Sequence, residues 1–309
     1  MAGKQRIYKA KIRATSTLEK VFRAMELIAA SRIGKARDAA QGQDPYTQAL
    51  IHSIQMVASH AAATHPLVTP RSDTNKVVVL VVTSDRGMAG AYSSSVLRAT
   101  DKLLDELREQ GKDPVLYVTG RRGAQYYHFR GVPVEDEWIG HSDKPSEAVV
   151  QEIADVLLQR FLAPAEEGGV AELHVVYTRF ISMVTQHVHI RQMLPMKVVD
   201  AQPVEGEAQA TAAAEDNSAS TLPLYDFEPS AQAVFDALLP MYVSSRIRGI
   251  LLMAAASELA ARQQAMHSAT ENAQELIRKY TRLANNARQA EITTEITEIV
   301  SGADALGKK

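Results

Sequence analysis

The 309-residue chain contains no cysteine, which excludes disulfides, thiolate metal ligands and thiol redox switching. Aromatic residues amount to only 6%, with a single tryptophan, while alanine is abundant towards both ends. That composition favours thin, closely packed helices over a bulky core. The first residues are basic but lack the apolar stretch of a signal peptide, and no segment approaches the ~20 uninterrupted apolar residues of a membrane span. The expectation is a soluble protein that serves any membrane through partners. Basic residues are missing between Lys197 and Arg246, where Glu205, Glu207, Glu215, Asp216, Asp226, Glu228 and Asp236 accumulate.

The opposite bias marks the beginning. Residues 1–38 hold ten Lys and Arg against Glu19, Glu26 and Asp38, although the whole chain has a formal charge of only -2. A chain polarised in this way meets an acidic partner with its basic end. The charges surround the first helix and few aromatics are interleaved, so an acidic protein surface accounts for them better than a phosphate backbone. A basic coiled-coil nucleic-acid binder remains the alternative, with steeply salt-dependent affinity for duplex DNA.

Periodicity divides the chain into four parts. Over residues 1–63 the spacing predicts helix, with Ile7, Ala14, Leu18, Val21, Met25 and Ile28 on one face and Phe22, Ala29, Ile33 and Ala36 widening it. Pro45 in "GQDPY" kinks or interrupts that helix, and "THPLVTPRSDTN" closes the region. Residues 76–199 alternate strand and helix. "VVVLVV" (77–82) reads as a strand buried on both faces. The turn "TSDRGMAG" leads to a helix bearing Val96, Leu97, Leu103, Leu104 and Leu107. A strand over 114–120 and a helix over 146–162 come next, followed by two strands joined near Ile181 and Ser182. This is a compact α/β domain. Residues 200–229 read as an acidic flexible segment without apolar period.

Residues 230–309 return to helix. Leu252, Ala255, Leu259, Arg262, Met266, Ala269, Ala273, Leu276, Tyr280, Leu283, Ala287 and Ala290 alternate by three and four, and neither glycine nor proline interrupts Leu251 to Ser301. Such a pattern averages 3.5 residues and makes a coiled-coil seam. A helix of this length, roughly 105 Å at 1.5 Å per residue, is expected to project from the α/β domain and run antiparallel to the N-terminal helix.

Catalytic and ligand-binding motifs are weakly represented. "TSDRGMAG" follows a strand as a phosphate loop would, but it is neither G-x-x-x-x-G-K-[ST] nor G-x-G-x-x-G; Asp85 is expected to cap the turn, with Arg86 as a neighbouring partner. A small nucleotide-binding α/β protein with a coiled-coil arm stays open as the enzyme alternative. His187 and His189 share a strand face and, with His174, are candidate metal ligands; with no carboxylate at a supporting spacing, a polar strand face is the better reading. Ser93, Ser94 and Ser95 read as a helix N-cap cluster, and Glu295 and Glu298 as solvated helix surface. Arg288 and Gln289, beside the seam near the end of the last helix, fit either solvated surface or a grip on another molecule.

Four segments carry a resemblance. "NNARQAEITTEITEIVSGADAL" (285–306), "ASELAARQQAMHSATENAQELI" (256–277), "KIRATSTLEKVFRAMELIAASR" (11–32) and "TSDRGMAGAYSSSVLR" (83–98) resemble, in order and separation, the gamma subunit of F-type ATP synthases. The resemblance implies a Rossmann-like α/β domain plus a long antiparallel two-helix coiled coil from the two ends of the chain. It implies a rotor stalk, non-catalytic by itself, that couples proton-driven turning of the c-ring to conformational cycling of the catalytic subunits. The implied partners are the alpha and beta subunits, the epsilon subunit and the c-ring, with no cofactor or nucleic acid and no membrane span of its own. The implied location is the cytoplasmic face of a bacterial plasma membrane, reached through the complex. By the same resemblance Arg288 and Gln289 match a pair that hydrogen-bonds a catalytic-subunit loop. Met25 matches a methionine near an acidic loop, to which Lys20, Arg23, Arg32 and Lys35 offer positive charge. The chain departs from the family pattern at Tyr8, at Val21–Phe22 and at Asn286, which touches individual contacts rather than architecture.

Overall fold

The structure is a computed structural model and describes residues 2–60, 65–196 and 227–306; most of the acidic 200–229 segment lies outside the described residues. Close contacts gather the chain into two units. One comprises Lys35–Gly87 and Ala91–Glu258; the other comprises Met1–Gly34, Met88–Gly90 and Leu259–Lys309.

The first unit is built on five strands: β1 (Lys76–Val82), β2 (Asp113–Thr119), β3 (Asp136–Trp138), β4 (Glu172–Phe180) and β5 (Gln186–Leu194). Their order is β3-β2-β1-β4-β5. The first four run parallel and β5 returns antiparallel to β4 through residues 181–185. The β-branched run predicted as a doubly buried strand is one, since Val77 to Val82 are each at most 3% exposed. Both faces are covered because parallel strands need crossovers.

On one face lie α3 (Tyr92–Glu109) and α4 (Arg121–Phe129). Val96, Leu97, Leu103, Leu104 and Leu107 of α3 pack there on Val77, Val79 and Val81, the stripe the leucine spacing anticipates. The other face is covered by α2 (Asp44–His60), α5 (Glu147–Leu162) and the beginning of α6 (Ala231–Leu306). Phe235, Leu239, Val243, Ile247 and Ile250 of α6 recur at three and four and join Leu80, Val175 and Phe161 in a single core. Each such side chain contributes about 1.5–3 kcal/mol by leaving water. Pro240 deletes one helical N–H, yet α6 runs through it, held by buried Leu239 and Val243 on either side.

Two elements escaped the sequence reading. α4 ("RRGAQYYHF") has too few aliphatic residues to show a period, and β3 has only three residues. The expected serine N-cap is also corrected. Ala91 is the cap residue of α3 and makes no side-chain cap bond, while Ser93 in the first turn bonds the Ser84 hydroxyl at 2.7 Å. α6 also holds a window long and apolar enough to cross a bilayer by length and composition alone, although Arg246 and Arg248 leave no uninterrupted apolar run of that length. The core packing of Phe235 to Ile250 accounts for much of that apolarity.

The second unit pairs α1 (Ala2–Gly42), through its residues up to Gly34, with α6 from Leu259 onward. The two run antiparallel: Tyr8 stacks on Tyr280, Lys11 lies over the same ring, Glu19 accepts from Gln274 at 2.9 Å, and Glu26 meets His267 at 2.9 Å. Rising numbers on α1 thus meet falling numbers on α6. α1 ends at Gly42 and α2 starts at Asp44 with Pro45 in its first turn, where a missing N–H costs nothing.

The seam on α1 lies one residue from the expected face. Phe22 is half-buried, and Ala29 and Ile33 are buried. The heptad they belong to also contains Tyr8, Ile12, Thr15, Glu19 and Glu26, all half-buried. Ile7, Leu18, Val21 and Ile28 are 46–55% exposed. On α6, Leu259, Arg262, Met266 and Ala273 are buried as anticipated, but Thr270 and Ala284 are more buried than Ala269 and Leu283, and Leu276 and Ala290 are exposed beside half-buried Ile277 and Glu291. Past Met266 every second anticipated position gives way to its C-terminal neighbour, while Ala273, Tyr280 and Ala287 keep theirs.

Candidate functional site

The space at the carboxyl end of β1 is where a phosphate loop following this strand would hold its anion. Here the chain fills it. Gly120, with φ of 92°, lies so near β1 that a Cβ would stand 2.1 Å from the Thr83 carbonyl oxygen. Gly123 donates its N–H to the Thr83 hydroxyl at 2.9 Å, and Arg122 N–H goes to the Ser84 carbonyl at 3.0 Å. Asp85 does not cap the turn preceding α3. Its carboxylate accepts the Arg121 N–H at 3.0 Å, the Gly140 N–H at 2.8 Å and the Ser142 N–H at 2.9 Å. Burial alone would raise the Asp85 pKa, but these donors outweigh it and hold the carboxyl below its usual range. A resident carboxylate thus sits at the α4 N-terminus, where an anionic ligand would otherwise be drawn. The turn is a lock between loops.

His174 cannot join His187 and His189. On β4 it pairs across from Gln192, whereas His187 and His189 stand opposite Arg179 and Tyr177 on the other sheet face. His174 instead binds Glu172 at 2.9 Å, and Glu172 also takes both bonds from Lys112. Among the described residues no cluster of three or more His, Cys, Asp or Glu is arranged to hold a metal.

The residues singled out by resemblance lie on the long helices. Lys20, Arg23, Arg32, Arg288 and Gln289 are exposed and Met25 is half-buried in the second unit; Lys35 is exposed in the first. Their surroundings form a pattern that the sequence reading mistook for the seam. Ile7, Lys11, Ala14, Leu18, Val21, Met25, Ile28, Arg32 and Lys35 fall on one heptad stripe of α1, apolar from Ala14 to Ile28 and basic beyond it. Four of its members, Ile7, Leu18, Val21 and Ile28, are large apolar side chains that this chain leaves about half exposed. On α6, Ile292, Ile296, Ile299 and Val300 are 44–71% exposed, and Arg288 precedes Ile292 and Ile296 at helical spacing. Apolar surface of this kind, rimmed by charge, marks an interaction surface.

The comparisons with known proteins address the whole chain. The matching family model is described as ATP synthase and spans residues 4–306. The chain is 58% identical over 306 residues to the ATP synthase gamma chain of Beutenbergia cavernae, covering 99% of each. It is 51% identical over 308 residues to that of Kineococcus radiotolerans, covering 99% of this chain and 98% of the relative. Among solved structures, a chain of the Euglena gracilis mitochondrial ATP synthase in rotational state 3 matches with a TM-score of 0.65 at 17% identity, over 100% of this chain and 97% of that one. A chain from the Tetrahymena thermophila central stalk and c-ring matches with a TM-score of 0.54 at 18% identity, over 81% and 99%. An α/β domain joined to a long antiparallel helix pair is the fold that these structures share with the chain. The chain belongs to the ATP synthase gamma chain family.

Proposed function

We propose that this chain is the central rotor shaft of a proton-driven ATP synthase. In this reading the α1–α6 coil turns within the ring of alpha and beta subunits, and the α/β domain docks with the epsilon subunit and the c-ring. The complex places the chain at the cytoplasmic face of a bacterial plasma membrane, and the subunit performs no catalysis itself. The observation that carries the reading is the unburied stripe of α1, from Ile7 through Met25 to Lys35, together with the exposed isoleucines that follow Arg288. A helix pair that keeps so much apolar surface free of its own core is built to be enclosed by another body.

Arg288 supplies a planar, permanently charged donor fork and Gln289 an amide that both donates and accepts. They suit a catalytic-subunit loop that comes within reach in one rotational position. Met25 and the cations Lys20, Arg23, Arg32 and Lys35 suit an acidic loop of the same subunit. Work is transmitted only if these contacts differ among the three positions, since equal affinity for every state shifts no population. In the assembled enzyme, Arg288→Ala is expected to lower ATP synthesis by tenfold or more, with the subunit still present at one copy per three catalytic subunits. Full synthesis from a normally assembled variant would remove Arg288 from coupling. Failure of the chain to co-purify with catalytic subunits at that ratio would end the rotor assignment.

A further inference from the structure

Among the described residues, the sheet face beneath the first part of α6 collects cations that no carboxylate pairs with. Cross-strand pairing sets Tyr177 opposite His189 and Val175 opposite Arg191. Directly opposed and alternate residues share a face, so Arg179, Tyr177, His189 and Arg191 all lie on one side. Val175 and Tyr177 belong to the core that Val243 and Ile247 of α6 complete. On that helix Arg246 lies over the Tyr242 ring, 5.9 Å from its centre. All these residues belong to the first unit.

Arg191 is half-buried. Burial and then the charge of Arg246 pull its guanidinium below the ordinary arginine pKa, against Tyr242 and Tyr177, with Arg179 adding the smallest pull. Burial, then Arg191 and Arg179, likewise lower His189. Neighbouring Arg248 has its acid, Glu147. Among the described residues no carboxylate forms an ion pair with Arg179, Arg191 or Arg246, and the hydroxyls of Tyr177 and Tyr242 have no hydrogen-bond partner. Like charges gathered on one sheet face destabilise it, and a half-buried cation without a partner is costly. The three guanidinium groups only donate and the two hydroxyls can donate, and among the described residues no negatively charged acceptor is paired with them.

The geometry points to a phosphate-binding site formed by Arg179, Arg191 and Arg246, with His189 and the hydroxyls of Tyr177 and Tyr242. Three permanent positive charges exceed what one carboxylate answers, whereas a phosphate group carries about -1.5 to -2 at neutral pH. Its oxygens accept the paired N–H groups of guanidinium forks. Inorganic phosphate, a nucleotide's terminal phosphate and a phospholipid headgroup all offer that chemistry.

The test uses the purified full-length chain at constant ionic strength. Three probes are titrated separately: inorganic phosphate, ADP, and vesicles of phosphatidic acid set against vesicles of phosphatidylcholine. Binding is read by calorimetry or sedimentation and by the shift in thermal midpoint. At least one probe is expected to bind the wild type and to lose tenfold or more in affinity with Arg191→Gln. Arg191→Lys, which keeps the charge without the fork, should lose less, and Arg248→Gln should bind as the wild type does. The probe that responds names the source of the phosphate. The site is overturned if no probe binds in a way that depends on Arg191, or if Arg248→Gln weakens binding as much as Arg191→Gln. It is equally overturned if Arg191→Gln abolishes only co-purification with another subunit, which would make these arginines a protein interface. A thermal midpoint for the unliganded Arg191→Gln chain at or above the wild-type value checks that lost affinity is not lost folding.

Discussion

His267 Nδ1 on α6 lies 2.9 Å from Glu26 Oε1 on α1, and its Nε2 lies 3.6 Å from Glu271. One imidazole therefore faces a carboxylate on each helix of the pair. The side chain of Glu26 is 21% exposed while that of His267 is 60% exposed, so water screens the contact from one side. Such pairs contribute about 0–1 kcal/mol. A double-mutant cycle of Glu26→Gln and His267→Ala, read by chemical denaturation of the full chain, should give a coupling within that range. A coupling well above it would mean that the pair is shielded from water in solution.

The two stripes of α1 make a sharper contrast. Ile33 is 4% exposed and Leu18 is 51% exposed. Ile33→Ala should destabilise the chain by about 2–5 kcal/mol, whereas Leu18→Ala should fall within about 0.5 kcal/mol of the wild type. Leu18→Asp should then reveal the stripe's purpose, leaving the isolated chain folded while impairing assembly with the catalytic subunits. Equal denaturation midpoints for Ile33→Ala and Leu18→Ala would show that the seam has been placed on the wrong residues.

The same contrast explains how far the sequence could be read. The run Val77–Val82 and the leucines of α3 declare their elements because each has one periodicity and a single plausible burial. α1 carries two adjacent heptads of comparable apolarity, and nothing local says which one meets α6. The deciding residues are polar: Glu19 and Glu26 enter the seam because Gln274 and His267 answer them from a helix more than two hundred residues away. Asp85 was misread for a related reason. Its donors, Arg121, Gly140 and Ser142, are brought to it only by the sheet order, which no window around residue 85 contains. The cation cluster on β4, β5 and α6 was visible only as two histidines on one strand.

Two glycines with positive φ should respond very differently to alanine. At Gly111, with φ of 75°, an added Cβ meets nothing within 4 Å, so the cost is the left-handed backbone alone, roughly 1–2 kcal/mol. At Gly120 the same methyl would also stand 2.1 Å from the Thr83 carbonyl oxygen. Overpacking of that kind brings the total to about 2–5 kcal/mol. Gly120→Ala should therefore lower the unfolding midpoint well beyond Gly111→Ala. Near-equal shifts would mean that the β1 and β2 ends are farther apart than described.

Asp85 gives the α/β domain an acid-sensitive lock. Burial opposes ionisation, but the N–H groups of Gly140, Ser142 and Arg121 win, so the folded pKa is depressed. The sign follows directly. With the folded pKa below the unfolded value of about 3.9, the stabilisation is complete above that value and is lost as pH falls through the folded pKa. Asp85→Asn keeps the shape but removes the charge that strengthens three hydrogen bonds, and it replaces one acceptor oxygen by a donor facing other donors. A loss of about 1.5–3 kcal/mol at pH 7 is expected, the range for one hydrogen bond to a charged group. Protection of the Arg121, Gly140 and Ser142 amides, relative to the intrinsic exchange rate at each pH, should fall in the variant at neutral pH, and in the wild type only as pH drops below about 4. Protection of those three amides that is identical in both proteins across that range would show that Asp85 is not what holds the loops together.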